Sequence, residues 1–290
     1  VTKAVPIKTV LDVITATTDY LRKSGVESPR LNIEHLLAHV LKKRRMDLYM
    51  EFDRPLGEQE LAPLRELVRR RAQREPLQHL LGTVEFLGLT LKSDARALIP
   101  RPETEQLCEM LAAQAGAPEC IWKSGRIADV GTGSGCIALA LVTKLPDAQV
   151  TGLDASDDAL ALACENAALT GLATRVTFTK SNLLAAAEGP LDLIVANLPY
   201  IPSAELAALQ PEVQRDPSAA LDGGADGLAI IRRLLPEAAV KLRAGGLLAM
   251  EVGHDQTAIL AAELPAHGFT GTKILKDHQG RERFIFTTHG

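Results

Sequence analysis

From Pro100 to the end of the chain, short apolar runs alternate with segments of helical periodicity, and this alternation constrains the fold more than any other feature. The apolar runs lie at 126–130, 148–153, 174–179, 191–196, 246–252, 269–275 and 282–287. Helical patterns fall near 103–115, 135–145, 156–170, 226–243 and 255–267. Strands separated by helices connect in parallel, and the helices cover both faces of the sheet. The alternation therefore predicts an α/β domain over residues 100–290.

Residues 1–80 follow a different pattern. Val10, Val13, Ile14 and Leu21 form one helical stripe. Ser28-Pro29 has the form of an N-cap followed by proline at the first helical position. Leu31, Leu36, Leu37, Val40 and Leu41 supply the apolar face that follows. A third helix around 58–74 combines Leu61, Leu64, Leu67 and Val68 with the basic run Arg69-Arg70-Arg71. That run reads as a solvated face, or alternatively as a contact for an acidic partner. Residues 81–99 are expected to connect the two domains, with a short hairpin over 83–92 turning at Gly88.

The net charge of −4 is unevenly spread: residues 1–80 hold 15 Lys and Arg against 11 Asp and Glu, and the remainder 17 against 25. Enzymes that bind a duplex carry a large basic surface. An acidic main domain favours a protein or small-molecule substrate. With aromatics at 3%, there is too little material for base-stacking platforms. Cys108, Cys120, Cys136 and Cys164 show no CxxC spacing, as expected of free thiols in a reduced cytoplasmic protein. No apolar run approaches the roughly 20 residues of a membrane span, so neither a membrane nor a signal segment is expected. His35 and His39 are four apart, but no Glu follows His35, so no metal site is expected.

Two motifs carry the chemistry. Asp129-Val130-Gly131-Thr132-Gly133-Ser134-Gly135 follows a strand and opens a helix. Glycines let the backbone turn sharply and approach a ligand, and the helix N-terminus offers free N–H groups. A dinucleotide fingerprint is G-x-G-x-x-G; here the third glycine comes one residue early. The G-x-G-x-G form resembles motif I of the class I S-adenosylmethionine-dependent methyltransferases. Gly131, Thr132, Gly133, Ser134 and Gly135 are the cofactor-binding loop that this implies. Asp154 ends the next strand, 23 residues after Gly131, where a carboxylate accepts from ribose hydroxyls. Asn182 and Leu183, after the third strand, are placed to hold adenine.

Asn197-Leu198-Pro199-Tyr200 stands at the carboxyl end of the 191–196 strand, the edge where open α/β sheets bind ligands. It suits a planar NH2 group. An amide nitrogen is a poor nucleophile because its lone pair is delocalised, the resonance behind a rotation barrier of about 18–20 kcal/mol. The Asn197 side-chain oxygen and the Leu198 carbonyl can accept its two N–H bonds, and these contacts strengthen as positive charge develops on nitrogen. Tyr200 offers a ring to stack on a flat amide or base.

Over nearly its whole length the chain resembles the peptide chain release factor glutamine methyltransferases (the HemK/PrmC family). The resemblance is carried by Ile99 to Glu105, Gly131 to Leu141, Asn197 to Ile201, Asp226-Gly-Leu228, Glu251-Val-Gly253 with Gln256, and Asp277. It implies a class I methyltransferase fold with a small N-terminal helical domain that contacts the release factor. It further implies S-adenosylmethionine as cofactor, methylation of the glutamine of a Gly-Gly-Gln loop, and a substrate pocket shaped in part by Arg101 and Glu105. A monomer is expected, with no direct nucleic-acid contact. Relatives usually carry Asn-Pro-Pro-Tyr, so Leu198 departs from the pattern; Asn182 departs too, where many place an acid. Asn-Leu-Pro-Tyr also resembles rRNA adenine dimethyltransferases. The glycine loop, Ile201-Pro202 and the charge balance argue against that, leaving adenine N6-methylation of RNA or DNA as the alternative.

Overall fold

The computed structural model describes residues 8–117 and 120–290. They form two compact units. The first comprises the described residues up to Gly82 together with Gln210–Arg215, and the second comprises Thr83–Leu209 with Asp216–Gly290.

The first unit is helical. Helix α1 (Val10–Lys23) starts at a capping box: Thr9 accepts from the Asp12 N–H, and Asp12 accepts from the Thr9 N–H. Helix α2 (Pro29–Leu41) has Ser28 in the N-cap position, but Ser28 is left-handed (φ 46°) and its hydroxyl caps nothing. Asn32 instead donates to the Glu27 and Ser28 carbonyls. Leu31, expected on the apolar face, points outward, while Ile33, Leu36 and Leu37 are fully buried. After a 3₁₀ turn over Arg45–Met50 come α3 (Glu58–Ala72) and the short α4 (Leu77–Leu81), which the sequence pattern did not reveal.

The basic run in α3 is not one solvated face. Arg69 pairs with Glu66 and Arg70 with Glu75. Arg71 is buried; its Nε donates to Asn32 at 2.7 Å and its guanidinium pairs with Glu212 at 2.8 Å. Glu212 also accepts from Arg74, so the segment after the tetrapeptide contributes an acid to this unit.

The second unit opens with the hairpin β1 (Thr83–Phe86) and β2 (Leu89–Lys92), turning through Leu87-Gly88 with Gly88 at φ 81°. The hairpin was expected as an inter-domain connection. It packs into the second unit, with Phe86 and Leu91 buried in that unit's core. Then follow α5 (Pro102–Gln114), β3 (Arg126–Val130), α6 (Cys136–Lys144), β4 (Gln149–Asp154), α7 (Asp157–Leu169), β5 (Val176–Lys180) and β6 (Leu191–Asn197). The chain ends with α8 (Ala229–Lys241), β7 (Leu242–Glu251), α9 (Thr257–Glu263), β8 (Phe269–Lys276) and β9 (Glu282–His289).

The seven-stranded sheet has the order β5-β4-β3-β6-β7-β9-β8. The first five strands in this order pair in parallel, while β9 joins β7 and β8 antiparallel. Its central strands are apolar on both faces: Leu193, Ile194 and Val195 of β6 are fully buried, with one core on each side. The strand order reverses between β3 and β6. A crevice opens beyond their carboxyl ends, the position where such sheets bind ligands.

Candidate active site

The crevice is a cavity of about 370 Å³, ample for a small organic ligand. Its walls bring together residues far apart in the chain: Arg101 and Thr104 at the start of α5, Gly131 to Ser134 after β3, Asp154 ending β4, Asn182 and Leu183 after β5, and Asn197 to Pro199 at the end of β6 and just beyond. Gly135, Glu105 and Tyr200 do not line it. Gly135 caps α6 in a left-handed conformation, and a Cβ there would meet Phe178 at 2.9 Å, so this glycine serves packing. Glu105 accepts the Leu87 N–H at 2.8 Å and ties the hairpin to α5. Tyr200 packs against the core on one face of the sheet, and burial pushes its hydroxyl up to about 12.

The glycine loop folds around a buried acid. Asp129 accepts from the Thr132 hydroxyl at 2.6 Å and the Ala138 N–H at 3.1 Å. Burial raises it to about 7, and the nearby Asp154 charge adds to the rise. These bonds fix the turn that places Gly131 and Gly133 at φ 73° and 55°. Asp154 accepts the Gly133 N–H through one oxygen and the Ser156 N–H through the other, each at 2.9 Å. A carboxylate has about four acceptor positions, so each oxygen keeps one for a hydroxyl. Ser156, not Asp154, caps α7. Asn182 is exposed and its side-chain oxygen accepts from Arg233. Leu183 is buried and left-handed, braced by the Ser181 hydroxyl on its carbonyl at 2.7 Å.

Asn197 ends β6 directly opposite Glu251, the last residue of β7. Its Nδ2 donates to the Thr104 hydroxyl at 3.0 Å, and that hydroxyl donates to Glu251 at 2.8 Å. Among the described residues no protein group donates to Asn197 Oδ1, and no turn or side-chain donor takes the Leu198 carbonyl. Burial raises Glu251 to about 7, against the pull of Thr104 and of the Arg283 and Arg101 charges. The Leu198 side chain lies over the glycine loop, where a Cβ on Gly131 would meet it at 2.9 Å.

The loop after the tetrapeptide closes on itself. Ile201 bonds Leu221 and Gly223, so the excursion over 202–220 leaves and returns at one point. Its end is held by Asp216, fully buried, which accepts from Arg101 at 2.5 Å and more weakly from the Ile99 N–H. Burial raises Asp216 to about 6. Gln256 joins three of the motif segments: it accepts the Gly253 N–H and donates to the carbonyls of Tyr200 and Asp226. Gly227 must lack a Cβ, because one would strike the Tyr200 carbonyl. Asp216 and the roles of Thr104 and Glu251 stand out only in the structure: Glu251 lies in a sequence motif with no role attached, and Thr104 reads as an ordinary first-turn residue of a helix.

Two family models match the chain: the PrmC N-terminal domain over residues 12–82, and the methyltransferase small domain over 103–213. A protein named release factor glutamine methyltransferase from Deinococcus radiodurans is 44% identical over 94% of this chain and 96% of its own length. One of the same name from Geobacter sulfurreducens is 44% identical over 96% of both chains. A solved methyltransferase from Pyrococcus furiosus superposes with a TM-score of 0.51 at 17% identity, covering 70% of this chain and 89% of its own, a likeness of fold. No helix among the described residues is long and apolar enough to cross a membrane.

Proposed function

This chain belongs to the release factor glutamine methyltransferase family, and we propose that Asn197 and the Leu198 carbonyl hold the reacting nitrogen of its substrate. The enzyme transfers a methyl group to the side-chain amide nitrogen, N5, of the glutamine in the Gly-Gly-Gln loop of bacterial release factors. The observation that carries the site assignment is the Asn197 side chain, pinned by its NH2 end with its oxygen left to accept.

The methyl donor is S-adenosylmethionine, which supplies a methyl group on a positively charged sulfur. The residues of the crevice fit it. The glycine loop leaves room for close approach, Asp154 keeps acceptor positions for two hydroxyls, and Leu183 supplies a buried apolar wall with the Asn182 amide at its rim. The protein's own part is mostly orientation and electrostatics. Asn197 Oδ1 and the Leu198 carbonyl take the two N–H bonds of the glutamine amide and turn its face toward the donor. Their attraction grows as the nitrogen becomes positive, so it favours the transition state over the ground state. Holding two reactants about 3–3.5 Å apart removes several kcal/mol of the barrier that free encounter would cost. No side chain need remove a proton beforehand, since the methylated nitrogen is acidic enough to release one afterwards. Pro199 keeps Leu198 extended. Leucine in place of the usual proline keeps the carbonyl that matters.

The first unit, whose basic residues exceed its acidic ones over 1–80, is assigned as the release-factor contact. The relatives' names support glutamine rather than adenine as the target. Incubation with methyl-labelled S-adenosylmethionine and a release factor tests the reading. Label is expected on the intact factor and absent when its loop glutamine is changed to alanine; equal labelling of both refutes it.

A further inference from the structure

We infer that Thr104 is a positioning residue: held by Glu251, its hydroxyl fixes which end of the Asn197 amide faces the substrate. This rests on the reading of Asn197 given above and extends it to two residues outside the tetrapeptide.

An asparagine amide has one accepting and one donating end, similar in size, so packing alone discriminates poorly between them. The wrong end here would present NH2 to the NH2 of the substrate, two donors facing each other. Something must decide between the two orientations, and the hydrogen-bond order does. Glu251 is buried at 2% exposure and, when ionised, can only accept. The Thr104 hydroxyl has one proton, which it donates to Glu251. Its oxygen is then left only as an acceptor, and the group that reaches it is Asn197 Nδ2 at 3.0 Å. Oδ1 is forced to the other side. In its ionised form the buried carboxylate at the end sets the direction of the whole chain.

The fold places the three groups rigidly. Asn197 and Glu251 are register partners at the ends of adjacent central strands. Thr104 is the third residue of α5, itself buried at 2% exposure. Arg101-Pro102 sets where that helix begins, and Pro102 at its first position needs no N–H partner. The conspicuous Arg101 to Glu105 segment thereby acts on the site through the unremarkable residue in its midst. The charged and titratable groups whose electrostatic influence reaches Glu251 are Arg283, Arg101, Glu103 and Tyr200.

The test uses the full-length enzyme with Thr104→Val, which keeps shape and removes the hydroxyl, and Thr104→Ser, which restores it. For Val, kcat on the release factor is expected to fall about 10- to 100-fold, the scale set by a misplaced reacting group. S-adenosylmethionine Kd should stay within about twofold of wild type, as it does when only transition-state interactions are lost. Ser should recover kcat to within about threefold of wild type. Circular dichroism and thermal melting establish that both variants are folded, and Ser keeps the test decisive if Val is not. Wild-type kcat in folded Thr104→Val, or a folded Thr104→Ser as slow as Val, overturns the inference. Asn197→Ala run alongside separates the two claims. If it loses transfer while folded Thr104→Val does not, only the positioning role fails; if it retains transfer, the reading of Asn197 itself fails.

Discussion

Replacing Gly131 with alanine should destabilise the second unit by an amount that depends on Leu198. Gly131 sits at φ 73°, a left-handed conformation that costs a residue with a Cβ about 1–2 kcal/mol. The new Cβ would also lie 2.9 Å from Cδ2 of Leu198, which must swing away. Moving a side chain about 30° off its rotamer costs about 0.5–1.5 kcal/mol. The sum is roughly 1.5–3.5 kcal/mol, equivalent to roughly 3–14 °C in Tm for a domain of this size. Trp122, the chain's single tryptophan, is buried in the core of the second unit, so its fluorescence follows that unit's unfolding. Leu198→Ala will itself be costly, since Leu198 is buried. In that background, however, Gly131→Ala should lose the clash and keep only the backbone strain. A double-mutant cycle should then show about 0.5–1.5 kcal/mol of coupling. A coupling of zero would refute the contact, and with it the claim that the tetrapeptide rests on the glycine loop.

Two further outcomes follow from single side chains. Asp154→Asn removes a charge from the acceptor of the proposed hydroxyls, and calorimetry should find S-adenosylmethionine binding weakened by at least about 10-fold, the scale of hydrogen bonds to charged groups; unchanged affinity would count against its role. Arg101→Met strips the partner from the buried Asp216. Asp216 is already raised to about 6 by burial, and without the arginine it rises further. A carboxyl with a raised folded pKa holds its proton in the native state, so its contribution to stability is complete at low pH and is lost as pH rises through that value. Melting curves should therefore show Arg101→Met destabilised by roughly 2 kcal/mol at pH 8 and by clearly less at pH 5.5. Equal losses at both pH values would contradict the pairing of Arg101 with Asp216.

What could be read from the sequence was what local pattern encodes. The seven apolar runs became seven strands because central strands such as β6 are buried on both faces and cannot hide their composition. The glycine loop was legible because glycine takes the left-handed turn at Gly131 and Gly133 without strain. Asp154 was legible from its distance along a βαβ unit. The pairings that order the site were not, because the partners lie far apart in the chain: Thr104 reaches Glu251 across 147 positions and Arg101 reaches Asp216 across 115. No periodicity marks such pairs. The same reason hid Arg71, which reads as one more surface arginine until Asn32 and Glu212 close on it. Ser28 misled in the opposite way, since its position suits a cap but its left-handed backbone turns the hydroxyl from the task.

The central claim is that the Asn197 amide oxygen holds the nucleophilic nitrogen, and single-turnover methyl transfer by Asn197→Ala measures it most directly. The loss of one preorganised transition-state contact predicts a rate at least about 10²-fold below wild type. S-adenosylmethionine Kd, measured on the same protein, should lie within about threefold of wild type. Transfer at the wild-type rate would contradict the account.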